Sequence, residues 1–261
     1  MDEASGRVVV VTGGSGGLGS EISKRFAHEG ETVFVGYHHG ADRAQAVVDE
    51  IAAAGGTAHP LEVDLASASS VEAAFGRVHE LAGTVDVLVN NAAYRPIGPF
   101  LEIDDEEWQE VIGVNLLGAV RCCRAVLPGM VERGRGRIIN ISGLDALWGW
   151  GNRSHVTVSK AGLSGLTRAV AVEFAEHGIT TNTLVLGSFR VERDPAIYPN
   201  WEKMRQYIVE RTLVGRQGEP SELAEWCWFL ASHATDWVTG QDIHVNGGAF
   251  PLVKNPLHGL E

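Results

Sequence analysis

Short runs of β-branched residues alternate with longer amphipathic stretches along the whole chain, and this alternation limits the fold more than any other feature of the sequence. It is typical of repeated strand–helix–strand units, which build a parallel sheet covered by helices on both faces. Runs such as VVVV at 8–11 are apolar throughout, which predicts strands buried on both faces. No linker or internal repeat divides the 261 residues, so we expect one α/β domain over residues 1–261.

The alternation predicts the following elements. Strands are expected at Val8–Val11, Thr32–Gly36, Ala58–Val63, Val85–Val89, Arg137–Ser142, Thr180–Leu186 and Asp242–Val245. Helices are expected at Ser20–Glu29, Ala41–Ala54, Ser69–Ala82, Asp105–Val131, Val156–His177, Glu202–Arg211 and Ser221–Ser232.

Two segments do not follow the alternation, and each comes directly after a predicted strand. The first, residues 143–155, contains Trp148 and Trp150 separated by glycine, and the second is residues 188–218. Open α/β sheets bind their ligands beyond the carboxyl ends of the strands. We therefore expect the two segments to form the walls of a substrate site. The two tryptophans are expected to form either an aromatic wall or a subunit contact.

Composition excludes several classes of function. The chain carries 33 acidic residues against 21 lysines and arginines, a net charge of −12, which argues against nucleic acid because phosphate binding needs a basic surface. We find no apolar run near the ~20 residues that cross a bilayer, so we expect no membrane partner. Three cysteines, two of them adjacent, and an acidic N-terminus unlike a signal peptide favour the cytoplasm. The ten histidines show no metal-ligand spacing, so no metal site is expected.

A glycine-rich turn follows the first predicted strand. Residues Thr12–Gly19 read TGGSGGLG and lead into the first predicted helix. Glycines at such a junction permit positive φ angles and let backbone N–H groups approach a pyrophosphate at the positive end of the helix. Because strand, turn and helix come in this order, the segment predicts dinucleotide binding rather than a purely structural turn.

Further motifs accompany this turn in a fixed order. They are Asp64-Leu65 after the third strand, Asn90-Asn91-Ala92 after the fourth, Asn115 in a long helix, Ser159-Lys160, and Asn246-Gly247-Gly248 near the end. With the glycine-rich turn, they resemble the short-chain dehydrogenase/reductase family across nearly the whole chain. The resemblance implies a Rossmann-type, doubly wound parallel sheet of about seven strands, a nicotinamide dinucleotide and a small-molecule substrate. It also implies a homo-oligomer, a tetramer or a dimer, built through the two long helices.

The resemblance also implies which residues hold the cofactor. The residues expected to bind the pyrophosphate and its ribose are Gly13, Ser15, Gly17, Leu18 and Gly19. Asp64 and Leu65 are expected at the adenine, and Asn90 and Ala92 at the adjoining ribose. The family usually has glycine where this chain has Ala93, a small change that suggests an altered wall rather than lost binding.

The end of the second strand indicates which dinucleotide is bound. In NAD enzymes an acidic residue there hydrogen-bonds the adenosine 2′-hydroxyl and would repel a 2′-phosphate. Residues 36–39 read GYHH, without an acid, which favours NADP over NAD. The basic residues common in NADP-preferring relatives are also absent, since Gly16 and His38 stand in their places. His38 and His39 are expected to form either a phosphate contact or a solvated turn.

The resemblance breaks at the catalytic positions. In the family, a tyrosine four residues before a lysine donates the proton, and a serine thirteen residues before the tyrosine shares the carbonyl oxygen. Lys160 is present and is expected to bond the nicotinamide ribose, but Val156 and Gly143 stand at the other two positions. Enoyl-acyl-carrier-protein reductases of the family, which the chain also resembles in NNAA at 90–93, place the tyrosine seven residues before the lysine, where this chain has Arg153. The tyrosine is missing in both registers.

The segment after the sixth predicted strand departs as well. A family pattern of Pro-Gly-x-Ile-x-Thr becomes LGSFRV at 186–191, so that Gly187 is kept and Phe189 replaces the isoleucine. The resemblance implies that these positions hold the nicotinamide end of the cofactor. Val191 cannot make the hydrogen bond of the threonine that it replaces. This leaves open that the cofactor binds without being used in the ordinary way.

Several side chains are candidates for the missing proton donor. His155 neighbours the lost tyrosine and titrates near neutral pH, so it is either a general acid or a solvent-facing helix residue. Ser142 neighbours the lost serine, but one step along a strand turns its side chain to the opposite face. Asn115 is expected to kink its helix and order water beside Lys160, or to be structural only. Further candidates, each with a plainer interpretation as a loop or surface residue, are Tyr94, Asp145, Arg153 and Tyr198.

Three hypotheses about function remain. The first is an NADP(H)-dependent reductase of a small apolar or aromatic enoyl or keto substrate, with a non-standard proton donor. The second is a non-redox catalyst, such as an isomerase, cyclase or lyase, on the same scaffold. The third is a dinucleotide-sensing protein without turnover. The fold alone does not choose among them.

Overall fold

The chain forms a seven-stranded, all-parallel sheet in the part that the computed structural model describes, which is residues 6–192, 198 and 200–252. The strands are β1 (Val8–Thr12), β2 (Thr32–Tyr37), β3 (Thr57–Glu62), β4 (Val87–Asn90), β5 (Gly136–Gly143), β6 (Ile179–Leu186) and β7 (Asp242–Val245). Their order across the sheet is β3-β2-β1-β4-β5-β6-β7. This is the doubly wound, Rossmann-type α/β fold that the sequence predicts. Successive strands are added on one side of β1 up to β3 and on the other side from β4 onward, so the order of the strands switches between β1 and β4.

Helices cover both faces of the sheet. In the described residues they are α1 (Gly17–His28), α2 (Ala41–Ala53), α3 (Ala68–Ala82), α4 (Asp105–Ile112), α5 (Gly118–Arg133), α6 (Asp145–Trp148), α7 (Ser154–Phe174), α8 (Trp201–Arg211) and α9 (Pro220–Leu230). Local chemistry sets several of their starts. The Asp104 side chain accepts the Glu107 N–H at the start of α4, and Glu219 and Glu222 form a reciprocal capping box around Pro220 at the start of α9.

Two apolar layers lie on opposite faces of the sheet. Val9 and Val11 of β1 belong to the layer beneath α1, α2 and α9. Val8 and Val10 belong to the layer beneath α3 and α5. All four valines are buried, which confirms that β1 is covered on both faces.

The predicted helix Asp105–Val131 contains a break that the prediction of one element did not include. A π-helical turn, Gly113–Leu117, separates α4 from α5 and carries Asn115 at its centre. The stretch Asp105–Arg133 is long and apolar enough to cross a membrane by length and composition alone. Half of its most apolar window is buried inside the fold, as in the core helix of a globular domain.

The carboxyl ends of the strands bring the two irregular segments together. The segment after β5 contains the short helix α6, which was not predicted, and leads into α7. The segment after β6 is joined to the chain before α9 by a parallel bridge between Phe189 and Gly218. Residues 193–197 and 199 of the second segment lie outside the described residues.

Candidate active site

The glycine-rich turn packs so closely that Gly13 and Gly19 have no room for a side chain. A Cβ atom on Gly19 would lie 2.1 Å from the Gly13 carbonyl oxygen. Gly13 has a φ of +63°, and a Cβ there would lie 2.9 Å from Ala92 Cα. Helix α1 begins at Gly17 after Gly16, which has no side chain to cap the helix. The N–H groups of the first turn are therefore available to an anion such as a pyrophosphate.

Asn91, which the sequence analysis assigned no role, braces this turn. Its Nδ2 atom donates to the carbonyl oxygens of Thr12, at 3.0 Å, and Gly13, at 3.1 Å. The Thr12 hydroxyl in turn accepts the N–H groups of Asn91 and Ala92. These bonds tie the end of β4 to the turn after β1 and explain the asparagine in physical terms.

Asn90 points elsewhere. Its Nδ2 atom donates to Asn140 Oδ1 at 2.8 Å, and Asn140 Nδ2 donates to the Thr167 hydroxyl at 2.8 Å. The side chain is buried within this polar chain, between β4 and β5. A contact of the Asn90 side chain with a ribose does not fit this position, because the amide is turned into the sheet.

Beside the turn after β2, where the adenosine is expected, lies a cation, Arg43, for which the sequence motifs predicted no role. His38 and His39 are exposed and stack with ring centroids 3.9 Å apart. The Arg43 guanidinium folds back over the same turn, 2.7 Å from where a Cβ atom on Gly40 would stand. Arg43 makes no ion pair with the described residues. Its position in the first turn of α2, four residues after His39, is the sequence signal that could have identified Arg43 as a candidate phosphate contact.

Asp64 and Leu65 follow β3 at the same edge of the sheet. Asp64 Oδ1 accepts the Ala66 N–H at 2.9 Å, and the Asp64 N–H donates to the Ser70 hydroxyl at 2.9 Å. Leu65 is buried, and its carbonyl oxygen accepts from Arg121 Nη1 at 2.7 Å. The turn that would face an adenine is thus held rigid by its own hydrogen bonds.

A cavity of about 440 Å³ lies beyond the ends of β5 and β6. Apolar and aromatic side chains form most of its wall, including Trp148, Trp150, Phe189, Tyr198, Trp201 and Tyr207. Asp145, Arg153 and Tyr198, three of the four further candidates, line it, whereas the described lining does not include Tyr94. Both irregular segments contribute to the wall. The volume suits a small organic molecule.

Lys160 lies in the wall of this cavity. Its ammonium is buried and donates to the Ile141 carbonyl oxygen at 2.7 Å. Burial, and then the positive charge of Arg95, lower the pKa of Lys160 from 10.5 to about 7, against the opposing charge of Asp145. Near neutral pH the side chain can therefore either give or take a proton.

The positions of the lost tyrosine and serine differ in their surroundings. Val156 is completely buried and is not among the described lining residues. Gly143 lines the cavity, and a Cβ atom there would meet only the Leu186 carbonyl oxygen, at 3.8 Å. Ser142 is buried, and its hydroxyl donates to the Lys160 carbonyl oxygen at 3.1 Å. Ser142 nevertheless lines the cavity beside Gly143, so the expectation that it turns to the opposite face does not remove it from the wall.

His155 is not the solvent-facing residue that one alternative expected, and it does not line the cavity either. Its ring is completely buried. Nε2 lies 2.8 Å from Glu107 Oε1, and Nδ1 accepts the Val156 N–H at 3.0 Å. Because both ring nitrogens are engaged and the ring points toward α4, its position gives no support to a role as proton donor.

Asn115 orders the chain beside α7 through its side chain. Oδ1 accepts the Tyr94 N–H at 2.7 Å, and Nδ2 donates to the Tyr94 carbonyl oxygen at 2.9 Å and the Ser159 hydroxyl at 3.1 Å. Its place on the π-helical turn agrees with the expected kink. The described contacts of its side chain are to Tyr94 and Ser159 rather than to Lys160.

The segment after β6 is held by close backbone packing. A Cβ atom on Gly187 would lie 2.7 Å from Asn246 Cα, which explains a glycine opposite the Asn246-Gly247-Gly248 motif. The Phe189 ring packs over Gly218 and lines the cavity. Val191 lies against the glycine-rich turn, 3.2 Å from where a Cβ atom on Gly17 would stand. Gly187 and Phe189 thus border the space between the turn and the cavity.

No group of three or more potential metal-ligating side chains occurs in the described residues. Cys122, Cys123 and Cys227 are free and buried, and burial raises the pKa of each thiol well above its usual range. The cysteines are therefore core residues and not nucleophiles.

Comparisons with known proteins agree with this fold. The family profile described as enoyl-(acyl carrier protein) reductase matches residues 13–249. The chain is 34% identical to a 3-oxoacyl-acyl-carrier-protein reductase of Staphylococcus epidermidis over 92% of this chain and 98% of that protein. It is 37% identical to an L-rhamnose 1-dehydrogenase (NAD(P)(+)) of Azotobacter vinelandii, over 94% of this chain and 96% of that protein. A crystal structure of a gluconate 5-dehydrogenase of Burkholderia cenocepacia with NADP and tartrate superposes with a TM-score of 0.88 at 28% identity, over 95% and 97%.

Proposed function

The chain belongs to the short-chain dehydrogenase/reductase family, and from that premise we propose that it is an NADP(H)-dependent reductase of a small apolar or aromatic keto or enoyl compound in which Lys160 supplies the proton. The observation that carries the proposal is the place of Lys160: buried in the cavity wall, at the position of the family's lysine, with no tyrosine at either family register.

The residues present fit a dinucleotide. Gly13 and Gly19 let the backbone of the turn pack where a Cβ atom would collide, and the first turn of α1 offers uncapped N–H groups to a diphosphate. His38 and Arg43 offer hydrogen-bond donors for a 2′-phosphate, and no acid stands at the end of β2. The bound cofactor supplies the hydride. The crystal structure of the similar gluconate 5-dehydrogenase contains NADP, which supports NADP over NAD here.

Lys160 completes the reduction of a carbonyl group. As hydride reaches the carbonyl carbon, the electron pair of the C=O π bond moves to oxygen, and the Lys160 ammonium gives that oxygen a proton. The amine that remains is tolerated because burial already favours the neutral form. Solvent returns the proton through the cavity mouth before the next turnover. For an enoyl substrate, the same proton goes to the enolate formed by hydride addition.

We expect Lys160→Met to lower hydride transfer by a factor of ~10²–10⁴, the usual effect of removing a general acid. The measurement is transfer of deuterium from 4-deuterated NADPH into aryl ketones and enones, with NADPH binding followed by fluorescence. The wild-type reduction rate should fall as pH rises through about 7, because the donor must be protonated. With a lysine of ordinary pKa, the reduction rate would not change with pH up to about pH 10.

Lys203→Met is the matched control, since Lys203 is exposed on α8 and does not line the cavity. A Lys160→Met variant that transfers label at the wild-type rate would contradict the role of Lys160. Product formed without label would favour the non-redox alternative, for which the replacement of threonine by Val191 is the supporting observation. Failure of both NADPH and NADH to bind would contradict the proposal as a whole.

We further propose a cytoplasmic location and a homo-oligomeric state. Three free, buried cysteines fit a reducing compartment. The homo-oligomer rests on the family resemblance and on exposed apolar side chains of the long helices.

A further inference from the structure

We propose that Arg153 forms an anion-binding subsite in the cavity wall, so that the substrate is a small keto or enoyl acid that carries a carboxylate. The inference rests on the proposed function, because it assigns a substrate class to the same site. It concerns a position where a reductase branch of the family has its tyrosine and where this chain has a cation instead.

Arg153 is buried and has no negatively charged partner among the described residues. Its exposed fraction is 7%, and it lines the cavity at the start of α7. The Nη2 atom donates to the Tyr198 hydroxyl at 2.8 Å, and the guanidinium carbon lies 5.4 Å from the centroid of the Tyr198 ring. Within residues 6–192, 198 and 200–252 it makes no ion pair. A neutral hydroxyl satisfies one of five N–H donors and none of the charge.

Such a group is costly to keep unless something anionic binds it. Burial of an unpaired charge is among the largest penalties in a folded protein, and arginine is the side chain whose planar fork matches a carboxylate in two hydrogen bonds. Because the described residues offer this buried cation no anionic partner, its place in a concave wall points to a bound anion as that partner.

The other charges in the wall favour the same sign of ligand. Asp145 is the acid among the described lining residues, and Arg95 pairs with it at 3.1 Å. Arg153, Lys160 and Arg211 also line the cavity, which makes its wall net positive. The whole chain has a net charge of −12, so the charge of the cavity wall is opposite in sign to that of the protein as a whole. Field lines concentrate in such a cleft and draw in anions.

The geometry gives the ligand two functional ends. Arg153 and Lys160 are seven residues apart at the start of α7, about two helical turns, and thus on one face of the helix. Arg153 would hold the carboxylate while Lys160 meets the carbonyl or enolate. Trp148 and Trp150 lie in the same wall and supply apolar surface for the body of the molecule. Arg153 is a binding residue in this scheme and takes no part in proton transfer.

The test compares pairs of ligands that differ in charge. Each pair is a 2-oxo acid, whose aryl ring is joined to the oxo group by one to three carbons, and the methyl ester of the same acid. Binding is followed by quenching of tryptophan fluorescence without turnover, since Trp148 and Trp150 lie in the wall. The wild-type protein should bind the acids 10- to 100-fold more tightly than the esters, about what a charge-assisted pair contributes. Arg153→Met should remove this preference and leave ester binding within about twofold.

Arg153→Lys keeps the charge and should retain part of the preference, which also guards against a variant that fails to fold. Arg168→Met is the matched control, because Arg168 is exposed on the same helix and pairs with Asp242. Equal affinity of wild type for acids and esters, or no saturable binding of any acid up to about 10 mM, would overturn the subsite. Deuterium transfer to neutral ketones alone would then leave the proposed reductase standing. A charge preference without any label transfer would keep the subsite and reject the reductase.

Discussion

The surroundings of Lys160 set its acidity. Burial, and then the positive charge of Arg95, lower the pKa of Lys160 to about 7. Val156, at the position where the family resemblance implies a tyrosine, is a buried apolar residue and offers no proton. Under the proposed function, the lowered pKa suits Lys160 to the role of proton donor.

If the chain prefers NADPH as we propose, Arg43 is the residue expected to determine that preference. Its guanidinium lies over the turn after β2. We expect Arg43→Glu to weaken NADPH binding by about 10-fold or more and to leave NADH binding within about threefold, because an exposed charge-assisted contact to a 2′-phosphate is replaced by repulsion. Fluorescence titration of both cofactors measures the effect. Arg77→Glu, an exposed change on α3, is the control, and unchanged NADPH affinity in Arg43→Glu would exclude this role.

At the level of the strand–turn–helix element, tight packing makes a sharp prediction. A Cβ atom at Gly19 would lie 2.1 Å from the Gly13 carbonyl oxygen, whereas one at Gly16 would lie 3.5 Å from the same atom. Gly19→Ala should therefore displace the turn and weaken dinucleotide binding by at least about 10-fold, while Gly16→Ala should bind nearly as wild type. Isothermal titration with NADPH compares the two. Equal loss in both variants would mean that the turn does not hold the diphosphate.

The elements themselves were largely predictable, but their interruptions were not. Seven strands were expected and seven occur in the described residues, because parallel strands buried on both faces have a clear sequence pattern. Helix α1 begins at Gly17 and not at Ser20, since a glycine-rich start has low helix propensity and is recruited by packing. The π-helical turn at Gly113–Leu117 and the short helix α6 also depend on contacts with other elements.

The whole molecule exposes apolar side chains on its long helices. Val158 and Val172 of α7 are 50% and 84% exposed, and Leu117 on the π-helical turn is 44% exposed. Apolar groups on such faces indicate a contact with another copy of the chain. Sedimentation velocity should show a tetramer or dimer, and the double substitution Val158→Glu, Val172→Glu should shift it to a smaller species. Leu81→Glu, at a similarly exposed leucine on α3, is the control. A double variant that sediments like wild type would place the interface elsewhere.

The sequence by itself determined the parallel α/β sheet, the glycine turn after β1 and which residues stand at positions 143, 153, 156 and 160, because strand period, turn chemistry and residue identity are local properties. The tertiary structure alone decided which side chains meet. It turned Asn90 into the sheet and left Asn91 at the turn, buried His155 against Glu107, and placed Arg153 beside Tyr198 from a distant segment. Side-chain direction and desolvation depend on contacts between residues far apart in the chain, and these determine both the acidity of Lys160 and the sign of charge in the cavity.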